Sequence, residues 1–198
     1  PELETAFEPE PDTVCRKEVV QQLEIAMPMF NIGFKAKPET GIDALRAEIE
    51  TNFVLALLAN GSSDFYKKLY DEGLINSTFS TEVFSGDGYC CSIFGGESRN
   101  PRLVRDRIIE EIGRCKKEGF DRERFDGIKK AYYGALIRNL SDAEAIATNM
   151  LNSGMEKLSA FDVIETVADV KFEDMKKRLE KQFNSDNVTI SIIEPISS

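Results

Sequence analysis

Residues Asn60–Glu97 read NGSSDFYKKLYDEGLINSTFSTEVFSGDGYCCSIFGGE, and the fold is decided by the order of elements in this stretch. Between Gly61 and Gly73, Phe65, Tyr66 and Leu69 fall at helical spacing. Ile75, Ser77, Phe79, Thr81 and Val83 then alternate with Asn76, Thr78, Ser80 and Glu82, a period of two that predicts a half-buried strand. Ser85-Gly86-Asp87-Gly88 is a polar turn sequence, and Tyr89, Cys91 and Ile93 follow it, so the two runs are expected to pair as an antiparallel hairpin. The centre of the chain is therefore helix, turn and hairpin.

Working outward toward the N-terminus, Met29, Asn31 and Gly33 alternate with Pro28, Phe30, Ile32 and Phe34, which predicts a strand from about Met29 to Lys35. Pro28 has no amide donor and belongs at a strand start or edge. Thr40 followed by Asp43 marks a helix start, and Leu45, Ile49, Phe53 and Leu57 give that helix one apolar face. From Phe53 to Ala59 it is apolar all round, so its second half should be deeply buried. Toward the C-terminus, Asn100-Pro101 opens a helix striped by Leu103, Val104, Ile108, Ile112 and Cys115. Asp121 caps the next, and Ser141 with Glu144 forms a capping box for a third. Shorter helices are expected near Ala160–Val167 and Phe172–Phe183, then a last strand over Val188–Ile193. Few strands, one of them returning after a long helical run, indicate an α+β fold: two layers, with helices packed on one face of a mainly antiparallel sheet.

Composition narrows the function. The chain has 198 residues, 41% of them hydrophobic, enough for a substantial core. Thirty-five acidic against 25 basic side chains leave a net charge of −10, which repels phosphate backbones and argues against nucleic acid as a partner. No apolar run approaches the roughly 20 residues of a membrane span, so no membrane partner is expected. Residues 1–17, with Glu2, Glu4, Glu8, Glu10 and Asp12 among prolines, have the character of an acidic linker, leaving residues 18–198 as the domain. They lack the basic start and apolar run of an export signal, and the four cysteines (Cys15, Cys90, Cys91, Cys115) are expected as free thiols in a reducing cytoplasm. Cys90 and Cys91 are strand neighbours pointing to opposite faces and cannot readily share a metal. Histidine is absent altogether, which removes the commonest general base and the usual ligands of catalytic zinc. Gly86-x-Gly88 and Gly95-Gly96 lack the Lys-Ser/Thr of a phosphate loop and are expected to be structural. The basic run Lys176–Lys181, interleaved with Met175, Leu179 and Phe183, is expected to be a solvated helix face.

The pattern Gly-Ser-Ser-x-Phe-Tyr-x-x-Leu-Tyr-x-x-Gly-Leu over Gly61–Leu74 resembles the corresponding passage in the C-terminal halves of pitrilysin/insulinase-type zinc metallopeptidases, a group that includes the mitochondrial processing peptidase. The likeness extends through the hairpin and later helices to the ending Asp186–Pro195. It implies a half-subunit without a metal site, zinc being held by a His-x-x-Glu-His motif in an N-terminal half. It also implies a peptide substrate, the N-terminal half as partner, and in two-subunit members a homologous second subunit, as in a heterodimer. Catalytic members place an Arg and a Tyr in this half to hold the substrate carbonyl and oxyanion. Here Tyr70 and Asn76 stand at the matching places, with the intervening turn one residue shorter. Each can still donate a hydrogen bond to substrate, but neither is a cation; as ordinary residues of a helix end and a strand they need no functional reason. The expected activity is that of a zinc metallopeptidase half, inactive alone. The alternative is a noncatalytic interaction or scaffold module of the same fold.

Overall fold

The structure, a computed structural model, describes residues 10–86 and 88–196. Asp87 of the expected turn and residues 1–9 of the expected linker lie outside these. Five strands, β1 (Glu18–Leu23), β2 (Met29–Ala36), β3 (Ser80–Gly86), β4 (Tyr89–Glu97) and β5 (Val188–Pro195), form one sheet in the order β1-β5-β2-β4-β3. All neighbours pair antiparallel except β1 and β5, which run parallel. The mainly antiparallel α+β architecture expected from the sequence is the one observed.

Strand alternation separates the two faces. Phe30, Ile32 and Phe34 of β2, Phe94 of β4, and Ile190 and Ile192 of β5 are buried on the face that meets the helices. Those helices are α1 (Gly41–Ala59), α2 (Asp64–Asp71), α3 (Pro101–Glu118), α4 (Arg122–Asn139), α5 (Ala143–Met155), α6 (Asp162–Asp169) and α7 (Phe172–Gln182). The all-round apolar half of α1 lies at the centre of the core, with Phe53, Val54, Leu55 and Leu58 almost wholly buried. Phe34 packs edge-on to Phe94 at 5.9 Å and to Phe183 at 5.4 Å, tying β2, β4 and the end of α7 together. Each such buried side chain contributes about 1.5–3 kcal/mol.

Several local expectations are corrected. β3 begins at Ser80 and not at Ile75, because Asn76 folds the intervening residues into a turn: its Oδ1 accepts from the Thr78 amide (2.9 Å) and hydroxyl (2.6 Å), and its carbonyl accepts from the Phe79 amide (3.2 Å). A side chain that competes for backbone N–H groups favours turns over strands. The cap of α5 is Asp142, one residue past the expected Ser141; its carboxylate accepts from the Glu144 and Ala145 amides, while the Ser141 hydroxyl donates back to the Arg138 carbonyl. Thr40 occupies the cap position of α1 without a side-chain capping bond. β1 is a strand the periodicity did not indicate. Its short run EVVQQL buries almost nothing, and only the parallel ladder with β5 makes it a strand. The basic run in α7 is not wholly a solvated face, since Arg178 is buried and ion-paired to Glu50 and Glu39.

Candidate functional site

Among the described residues the helices cover one face of the sheet, and the other carries no helix. On that open face the outward positions are Asn31, Gly33 and Lys35 of β2, Cys91 and Ile93 of β4, and Thr189 and Ser191 of β5, and they line a trough of about 610 Å³. Gly33 leaves room at its centre: a Cβ there would sit 3.5 Å from the Thr189 methyl, in ordinary contact. Phe84 and Tyr89, ring centroids 5.1 Å apart, stand at the hairpin end. A second cavity of about 260 Å³ shares Asn31 and Ser191 with the first and carries the trough on toward Thr78 and Glu97. A sheet face that is mostly apolar, with the Asn31 amide and the Thr189 and Ser191 hydroxyls on its floor and the Lys35–Glu10 pair at its edge, suits an extended chain laid across it.

Residues 10–17, the described part of the expected linker, have no regular secondary structure and run along one wall of the trough. They are held by backbone groups. The Arg16 carbonyl accepts from the Thr189 hydroxyl (2.6 Å), the Lys17 carbonyl from the Ile190 amide (3.0 Å), and the Asp12 carbonyl from the Asn187 amide side chain (2.8 Å). Glu10 pairs with Lys35 at 2.7 Å, and Asp12 with Lys37 at 2.7 Å.

The trough offers little for bond breaking. Burial, with Cys90 and Glu82 nearby, pushes the Cys91 thiol up to about 11, so it is protonated and a poor nucleophile near neutral pH. Burial likewise raises Cys90, whose sulfur turns inward toward Gln182 on the helix side. The two cysteines thus face opposite sides of the sheet. Zinc does not fit the donors present: the chain has no histidine, and among the described residues no three Cys, Asp or Glu side chains converge as a metal site would require. No helix among the described residues is long and apolar enough to cross a membrane.

Tyr70 and Asn76 are not brought into the trough. Tyr70 is half-exposed near the end of α2, its ring stacked on Tyr66 at 6.0 Å. The Asn76 amide donates to Glu97 Oε2 at 2.7 Å, so the polar capacity that substrate binding would need is engaged in holding the turn. The trough residues went unnoticed in the sequence. The available signal was their outward register: Asn31, Gly33, Thr189 and Ser191 occupy positions where a solvated strand face would carry charges.

The peptidase M16 inactive-domain family matches residues 1–132. The zinc protease YmfH of Bacillus subtilis, itself uncharacterized, is 26% identical over 199 residues, an alignment covering all of this chain and 46% of that protein. The chain thus spans about half the length of the curated relative it matches. Its fold is shared with an M16-like peptidase from Alicyclobacillus acidocaldarius (TM-score 0.87, 22% identity, 94% of this chain and 45% of that one). It is shared also with the inactive peptidase domain of a zinc protease from Bordetella parapertussis (TM-score 0.72, 13% identity, 89% of this chain and 98% of that one).

Proposed function

The chain belongs to the peptidase M16 inactive-domain family, and from that premise we propose that it is the C-terminal, non-metal-binding half of a zinc metallopeptidase subunit, its open sheet face forming one wall of the peptide-binding chamber. The observation that carries this reading is the trough across β5, β2 and β4, long and mostly apolar as an extended peptide requires, with its Cys91 held as a protonated thiol. Zinc would be held by a His-x-x-Glu-His motif in an N-terminal half and would supply the activated water there. This chain's residues bind and orient substrate: outward side chains of the trough, the Asn31 amide and the Ser191 hydroxyl among them, hold the peptide, and Phe84 and Tyr89 receive an apolar side chain. Because neither Tyr70 nor Asn76 is a cation, a homologous second subunit would supply the Arg and Tyr that stabilise the developing oxyanion. A reducing cytoplasmic setting is part of the proposal and rests on four unpaired cysteines.

The test is reconstitution. This chain alone should not cleave a peptide library, whereas a polypeptide carrying both halves, alone or with a homologous subunit, should do so in a chelator-sensitive manner. Gly33→Leu fills the trough from a position with ordinary contact distances and should raise KM with kcat largely kept. An unchanged KM would remove the trough from the binding path. The scaffold reading is favoured by the engagement of Asn76 with Glu97, and it would be adopted if no combination of halves and subunits shows metal-dependent cleavage.

A further inference from the structure

On the helical layer, away from the trough, α5 is thinly packed. Its sequence AEAIATNMLNSGM is largely apolar, yet only Ser153 is buried. Met150 is 60% exposed and Phe161, just beyond the helix, 62%. Between α4, α5 and α6 lies a groove of about 560 Å³ with Leu45, Leu136, Ile146 and Ile164 on its walls and Met150 and Phe161 among its lining residues. Two carboxylates, Glu48 and Glu156, also line it. What acts on the Glu48 carboxyl is burial, then Glu156, with the Ser85 side chain its one favourable contact and no lysine or arginine beside it; its pKa is raised accordingly.

We propose that the α4–α5–α6 groove docks an amphipathic helix of a partner polypeptide, with the helix's apolar face on the groove and a Lys or Arg set against Glu48 and Glu156. An open apolar channel with a flexible methionine at its margin accommodates a helix by side-chain adjustment. The unpaired carboxylates define the complementary charge. A second copy of this chain is the poorer occupant, because two copies each carrying a net charge of −10 repel one another. An anionic lipid surface is repelled by these carboxylates and by the net charge of −10. The site lies in the helical layer and not in the trough, so it stands whether or not the peptide-chamber reading does.

The experiment titrates this chain with a synthetic Leu/Lys amphipathic helix and with a Leu/Glu helix of identical apolar face, reading amide chemical shifts and calorimetric affinity. Expected are saturable binding of the Leu/Lys peptide, shifts confined to α4–α6, and affinity about five- to tenfold weaker in E48Q/E156Q. M150K, at a position 60% exposed, should weaken binding similarly, with unchanged circular dichroism as the folding control. Equal binding of the Leu/Glu peptide, shifts on the open sheet face, or indifference to E48Q/E156Q each overturns the proposal. So does self-association that buries α5 without peptide, or binding to this chain that is lost in a longer polypeptide containing it, since the occupant would then be a second copy or a segment in cis.

Discussion

Arg178 Nε donates to Glu50 Oε2 at 3.0 Å, and with both side chains only 8% exposed this ion pair joins α7 to α1 inside the helical layer. The second arm of the guanidinium reaches Glu39 at 2.8 Å, and Glu39 also takes Lys181 at 2.9 Å. A buried pair is costly to desolvate and more costly to break. Arg178→Ala should therefore lower stability by about 2–4 kcal/mol, because it leaves buried Glu50 with only Arg46, at 3.4 Å, as a cation partner. The double variant E50M/R178M, apolar at both positions, should recover most of that loss, with Glu39 still paired to Lys181. Urea unfolding of the three proteins checks this; equal losses in single and double variants would show that the pair itself supplies net stability.

Thiol chemistry gives a pH prediction. Burial pushes Cys91 up to about 11, and burial with Glu111 beside it pushes Cys115 up to about 12, from an ordinary value near 9. The folded state then favours the protonated thiols. Their contribution is complete below about pH 9 and is lost as pH rises toward 11–12, where the unfolded thiols have already ionised. The urea midpoint should fall above pH 9, and C91S/C115S should flatten that fall. At pH 8, iodoacetamide should label exposed Cys15 well before the others, as peptide mass mapping would show.

The adjacent glycines of β4 should respond differently. A Cβ on Gly96 would lie 3.0 Å from the Phe79 Cα and 3.3 Å from its amide nitrogen, backbone atoms that cannot swing away. Gly96→Ala should cost about 1–3 kcal/mol by overpacking. At Gly95 the clash, 2.5 Å, is with the Asn31 side-chain oxygen, which can rotate into the trough. Gly95→Ala should cost less than Gly96→Ala; thermal unfolding giving the opposite order would contradict the placement of Phe79.

The two positions matched to the family Arg and Tyr separate by their contacts. Asn76→Ala removes bonds to Glu97 and Thr78 and should lower stability by about 1–3 kcal/mol. Tyr70→Phe changes only a half-exposed ring's hydroxyl and should stay within about 0.5 kcal/mol of the parent. In a reconstituted enzyme, a fall in kcat/KM for Tyr70→Phe at unchanged stability would give Tyr70 a substrate contact; the Asn76 change is expected to register as stability.

Periodicity and punctuation determined most elements. Alternation in β2, the apolar stripe of α3, the all-round apolar end of α1 and the caps at Asn100 and Asp121 are local signals, each readable because a strand or helix turns its side chains at a fixed period. The absence of histidine likewise excluded a histidine-bound zinc site from this chain before any contact was known. Where local signals competed, the sequence misled: residues 75–79 alternate like a strand, yet the Asn76 side chain claims the backbone donors that a ladder would have used.

Tertiary structure alone decided the rest. β1 is a strand only because β5 returns beside it, about 170 residues later in the chain. Arg178 looks solvated in a run of lysines until α1 brings Glu50 to it. The trough exists because Asn31, Gly33, Cys91 and Thr189 share one face of paired strands, a property of register that no single segment holds. Sequence fixes which groups a segment can present; the surface on which they meet, and hence what it can bind, is fixed only when distant segments pair.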